Sequence, residues 1–251
     1  RNISPEAHTI HLHGLDVSQV NDGVPSTSFF VWNGDTVNYS FNANYSGIYL
    51  YHCHVTTTLH LTMGMYGMIL VNRPDSTLFN GGPKFDRQYK FLTSDMDTSL
   101  SPVSPPPFNE ITPNYFMING KSGSMLYEDT VTINQDDKIA LRLANVAYAK
   151  TKYIFPEGVN AEVFTSDGRK LPQSFVTDTL EIYSGERFTV MLTANQFVDD
   201  VIKVEYYNMV SNDLKYTNEI KLNVKYSPIF EVNSKLKTVY KINYKYKNIK
   251  I

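Results

Sequence analysis

The sequence predicts an all-β protein, a sandwich or barrel, on three observations. Tyr (18) and Phe (14), with plentiful Val and Thr, favour strands over helices. Short apolar or alternating segments recur at regular spacing between turn signals rich in Gly, Pro, Asn and Asp. No segment carries a convincing amphipathic helical period. The length of 251 residues suggests two domains and enough chain to bury real cores.

The first predicted domain, residues 1–73, is built from strands over 36–41, 47–54 and 66–71. Residues 36–41 follow the turn Asn33-Gly34-Asp35 and put Val37, Tyr39 and Phe41 on one parity. Asn80-Gly81-Gly82-Pro83 marks a linker. The second domain, residues 84–226, opens with a strand over 85–92 and a Pro/Ser-rich loop over 99–113. Further strands follow over 115–118, 130–133, 138–144, 152–155, 161–164, 175–182, 187–192, 202–207 and 219–224. Residues 227–251, rich in Lys, Tyr, Asn and Ile, read as a basic, solvated tail. Residues 1–6 show no signal-peptide pattern. Meeting His8 so early predicts that the first domain is short of its N-terminal strands.

A net charge of −2 offers no basic surface for nucleic acid or a membrane. The apolar run around residues 63–71 is far too short to span a bilayer. One cysteine excludes an internal disulfide and says nothing of redox compartment.

Chemistry concentrates in the first 60 residues. They hold all six histidines (His8, His11, His13, His52, His54 and His60) and the lone Cys53. A single histidine is most often an ordinary core or surface imidazole; scattered structural histidines would not cluster around the only thiol. Strand alternation sorts them. His52 and His54 share one face and Cys53 takes the other. His11 and His13 share a face, and His8 has the opposite parity. Two sites follow. Cys53 and His8, completed by His60 and Met65 from the loop after Cys53, make two imidazoles, a thiolate and a weak thioether, the donor set of a blue-copper centre. Zinc fits less well, because its structural sites carry more thiolates and no thioether. Met63 and Met68 are rivals to Met65, and core packing is the ordinary role of any methionine here. The other site has four imidazoles, His11, His13, His52 and His54, enough for one or two copper ions or half of a larger cluster.

These residues resemble the multicopper oxidases. His8-Thr9-Ile10-His11-Leu12-His13-Gly14 is similar to that family's His-x-x-His-x-His-Gly motif. Tyr51-His52-Cys53-His54-Val55, with His60 and Gly64-Met65, resembles its other hallmark, at a Cys53–His60 spacing like that of bacterial two-domain laccase-like enzymes with blue copper in domain 1. Asn21-Asp22-Gly23-Val24-Pro25 resembles a further family segment. Asn119–Ser122, Leu141–Asn145, Ser166–Gly168 and Ser184–Arg187 look like a copper-free cupredoxin domain of the family.

The resemblance implies two cupredoxin-like β-sandwich domains and copper as cofactor. His8, Cys53, His60 and Met65 would hold type 1 copper, which accepts electrons from a one-electron donor. His11 would go to type 2 copper, and His13, His52 and His54 to the type 3 pair. Electrons would pass from Cys53 to His52 and His54 along the backbone, and oxygen would be reduced to water. Asp22 would relay protons. Implied too is a periplasmic or extracellular location. The family's cluster needs eight histidines and this chain supplies four, so either two copies meet face to face in a homo-oligomer, or another chain contributes, or no complete cluster forms. The alternatives are a blue-copper electron carrier or copper-binding protein, and an enzyme like copper nitrite reductase; His54 after Cys53 argues against the last.

Overall fold

The computed structural model describes residues 1–101 and 111–225. The tail 227–251 and most of the Pro/Ser-rich loop lie outside the described residues. Three antiparallel strands, β1 (His11–His13), β2 (Gly47–His52) and β3 (Tyr66–Val71), form an N-terminal sheet in the order β1-β2-β3.

Eleven strands follow among the described residues: β4 (Arg87–Met96), β5 (Tyr115–Ile118), β6 (Val131–Asn134), β7 (Ile139–Asn145), β8 (Lys150–Ile154), β9 (Val159–Ser166), β10 (Arg169–Val176), β11 (Thr179–Ile182), β12 (Arg187–Ala194), β13 (Val198–Tyr207) and β14 (Leu214–Lys225). They form two sheets, β10-β9-β12-β7-β4-β5 and β11-β8-β13-β14-β6. Period-two burial builds the core between them: Leu141 and Leu143 of β7 and Val190 and Leu192 of β12 meet Val204 and Tyr206 of β13 and Ile220, Leu222 and Val224 of β14. The result is an all-β, cupredoxin-like sandwich.

Several expected elements differ. Residues 36–41 form no strand and pair with neither β1 nor β3, the two edges of the N-terminal sheet; the segment is held by single contacts instead. Tyr39 Oη accepts the Ile10 N–H at 2.9 Å, and Asn21 Oδ1 accepts the Ser40 N–H at 2.9 Å. The strand expected over 47–54 stops at His52. The strand expected over 175–182 is two strands in different sheets, β10 and β11, divided at Thr177 and Asp178. The loop after Cys53 contains a short helix, α1 (Thr57–Thr62), too brief for a helical period to show in sequence.

The N-terminal sheet is seated on the sandwich by an apolar patch and a cation. Ile48 and Leu50 of β2 pack with Leu92 and Ala144, flanked by Tyr66, Met68 and Leu70 of β3. Arg187, buried at the start of β12, donates to the carbonyls of Ile48 (3.3 Å) and Gly185 (2.7 Å) and pairs with Asp167 at 2.9 Å. Its guanidinium lies where a Cβ on Gly14 would stand, so Gly14, at φ +85°, is the residue that lets the two parts close. Arg187→Ala is expected to destabilise the protein by about 2–4 kcal/mol, because charge-assisted hydrogen bonds are worth about 1.5–3 kcal/mol each and the Ile48 carbonyl loses a partner. Chemical denaturation of wild type and variant measures this.

Candidate metal centre

Cross-strand register assembles the imidazole face. His11 of β1 stands directly opposite His52 of β2, and His13 opposite Leu50. Residues opposed across antiparallel strands share a face. The ring centroids of His11 lie 5.6 Å from His13, 5.1 Å from His52 and 5.2 Å from His54. Those of His13 and His52 are 5.6 Å apart, and those of His52 and His54 5.9 Å. Ligand atoms of His11, His13 and His52 fall within 4.8 Å of one another.

Hydrogen bonds orient these rings. His11 Nδ1 lies 2.8 Å from the Asp22 carbonyl oxygen and 3.3 Å from its carboxylate. His52 Nδ1 lies 2.9 Å from the Cys53 carbonyl oxygen. A neutral imidazole carries one N–H; donated to these carbonyls from Nδ1, it leaves the Nε2 lone pair free for a metal. His52 Nε2 then faces His13 Nδ1 at 3.4 Å. Behind His13, the Gly185 backbone has room only because it lacks a side chain: a Cβ there would stand 3.2 Å from the ring.

On the other side of β2, Cys53 Sγ lies 3.2 Å from His60 Nδ1 and 3.5 Å from His8 Nδ1. The three ligand atoms fall within 4.8 Å of one another. Two local devices bring them together. His8 exchanges both backbone hydrogen bonds with Val31 at 3.0 Å. Helix α1 turns the chain back so that His60 and Leu59 are buried beside Cys53. Met65 is tied into the same knot through its backbone: its carbonyl accepts the Cys53 N–H at 3.0 Å, and its N–H donates to the His60 carbonyl at 2.9 Å. Its rival Met68 instead packs on the apolar patch beneath β2, whereas Met63 and Met65 both have exposed side chains.

The separations fit a single bound ion. Sulfur and nitrogen at about 2.3 and 2.0 Å from one ion, subtending angles of about 100–115°, stand about 3.3–3.6 Å apart, close to the separations found. One thiolate with two imidazoles is the His₂Cys arrangement of blue copper.

Burial keeps several imidazoles neutral, the form that binds metal. His13 is pushed down to about 4 by burial, reinforced by the Arg187 charge and the neighbouring imidazoles. Burial also lowers His52 and His8. The unfolded chain protonates these rings first, so their contribution to stability is present above about pH 6.5 and is lost as the pH falls, for His13 down to about 4. Thermal unfolding of the metal-free protein is therefore expected to drop steeply across that window, and His13→Gln to flatten part of the drop.

His8, Cys53 and His60 gather on one side of β2, with Met65 joined to them through its backbone, and His11, His13, His52, His54 and Asp22 lie on the other. Sequence reasoning missed Glu6, whose Oε2 lies 3.2 Å from His60 Nε2, and Arg187 and Gly185, which back His13 from the sandwich. Only the place of Glu6 two residues before His8 could have drawn attention to it.

Fold and donor sets together fit a cupredoxin-like copper protein. Multicopper oxidase family models match residues 1–76 and residues 50–225. The chain belongs to the multicopper oxidase family, whose cofactor is copper. It is 26% identical over 206 residues to a laccase of Cryphonectria parasitica, covering 79% of this chain and 34% of that protein. It is 26% identical over 146 residues to a copper-containing nitrite reductase of Neisseria gonorrhoeae, covering 55% of this chain and 35% of that protein. The chain spans about a third of the length of these curated relatives. The crystal structure of the blue copper oxidase from Nitrosomonas europaea superposes with a TM-score of 0.71 at 26% identity, over 95% of this chain and 76% of that one. Among the described residues, no helix is long and apolar enough to cross a membrane.

Proposed function

We propose that the chain acts in a laccase-like oxidase, taking electrons singly from a donor at the Cys53 site and delivering them to oxygen at the imidazole face. One observation carries this reading. Cys53 sits on one side of β2, while His52 and His54, its immediate chain neighbours, turn to the other. Copper, when bound, would supply one-electron redox chemistry at both places.

The chain's own residues do the rest. Cys53, His8 and His60 hold one ion in a largely buried pocket, with Met65 as a weak fourth donor. His11, His13, His52 and His54 present lone pairs to a second place, joined to the first by one peptide bond on either side of Cys53. Asp22 orients His11 through its carbonyl and carboxylate and would serve as a proton relay. Residues 1–73 would form the copper-binding domain and residues 84–226 the copper-free one. Half a cluster of imidazoles calls for the other half; a two-fold contact with a second copy is the simplest supplier. A periplasmic or extracellular setting goes with the laccase-like reading.

Oxygen uptake by the copper-loaded protein with a phenol or aromatic amine tests the reading. Uptake supports it. A blue protein that is reduced by the donor yet consumes no oxygen would favour the second reading, an electron carrier, which the half set of imidazoles favours. The nitrite reductase reading is disfavoured by His54, which lies within the imidazole cluster.

Met65 is expected to tune rather than hold the metal, since axial thioether bonds are long and weak. Met65→Leu should stay blue while its reduction potential rises in a redox titration; loss of copper would show a larger part for Met65.

A further inference from the structure

His60 is a buried ring with an exposed carboxylate behind it. Its side chain is 4% exposed, whereas that of Glu6 is 62% exposed. One ring nitrogen, Nδ1, faces Cys53 Sγ at 3.2 Å, and the other, Nε2, faces Glu6 Oε2 at 3.2 Å. A neutral imidazole has a single N–H. If Nδ1 is to offer its lone pair beside the thiolate, the proton must sit on Nε2, and in a buried ring that N–H needs an acceptor. Glu6 is the acceptor the structure supplies.

Glu6 is not held loosely. Its carbonyl accepts hydrogen bonds from Asn2 Nδ2 (2.6 Å) and Ser4 Oγ (3.0 Å). Asn2 is buried and anchored in turn to the carbonyls of Val31 and Asp35, both at 2.9 Å. Two residues further on, His8 is bridged to Val31. The same local fold thus fixes one imidazole of the Cys53 site and the backbone from which the carboxylate backing the other extends. Most exposed ion pairs contribute little, because water screens both partners; here one partner is sealed from water.

We propose that Glu6 is a positioning residue for the Cys53 site: its carboxylate holds His60 in the tautomer and orientation that present Nδ1 to the metal, and its negative charge favours the oxidised ion. The inference rests on the copper reading of Cys53, His8 and His60. Outer partners of metal-bound histidines fix ring orientation and raise ligand basicity, and their loss costs about 10–100-fold in metal affinity. A negative charge beyond the ring also stabilises the more positive oxidation state.

The test uses the full chain, comparing wild type, Glu6→Ala and Glu6→Gln. Cu(II) affinity is read by chelator competition, and reduction potential by redox titration of the blue band. Glu6→Ala is expected to weaken Cu(II) binding about 10–100-fold and to raise the potential. In Glu6→Gln the amide oxygen still accepts the Nε2–H, so most of the affinity should remain while the potential still rises. A purely structural role would not move the potential of the Gln variant. A blue wild type with Glu6→Ala unchanged in both readouts overturns this inference alone. A wild type that forms no blue site overturns the copper reading with it.

Discussion

Cys53→Ser is expected to remove the intense blue absorption and the narrow-hyperfine copper resonance together. Both signatures require a copper–thiolate bond, and Cys53 is the chain's only thiol. A serine hydroxyl stays protonated at neutral pH and is a poor ligand for copper beside two imidazoles. The fold should survive. Cys53 lies just past the end of β2, and its sulfur meets His8, His60 and the Val55 carbonyl rather than the sandwich core. The large core lies between the two sheets of residues 87–225 and does not include Cys53. The metal-free variant should therefore unfold within a few degrees of the metal-free wild type, as expected for a change of about 1 kcal/mol or less. Visible absorption and thermal unfolding on the same samples check both halves. A variant that stays blue would remove Cys53 from the site.

His13→Ala should do the opposite: keep the blue colour and lose oxygen consumption. His13 shares no contact with Cys53; its Nδ1 faces His52 Nε2 across the other side of the sheet. Deleting a ligand outright should cost at least the roughly 100-fold seen when supporting partners of metal-bound histidines are lost. Oxygen uptake should fall to background while donor-driven bleaching of the blue band continues. If bleaching and uptake fall together, the two faces are not separate functional places. Sedimentation belongs with this experiment, because the imidazole face is proposed to be completed by a second copy.

Much of this was legible in the sequence, for identifiable physical reasons. Alternation of an extended chain sorted Cys53 from His52 and His54, and the sorting held although β2 itself ends at His52. The 115–118 strand and the alternating 219–224 segment were readable because buried strands carry their burial in their pattern. The 36–41 alternation misled, since a strand also needs a partner strand alongside it, and alternation does not say whether one comes. Helix α1 was hidden because six residues hold less than two turns of periodicity. Glu6, Arg187 and Gly185 were invisible for a further reason. Each acts on a histidine distant in sequence, Glu6 54 positions from His60, and such contacts exist only once the chain has folded.

The central claim, a blue-copper centre at Cys53, is tested most directly by titrating the metal-free chain with Cu(II) and following visible absorption. An intense blue band that rises in proportion to added copper and saturates at one ion per chain is the expected result. Stoichiometric copper uptake without such a band would contradict it.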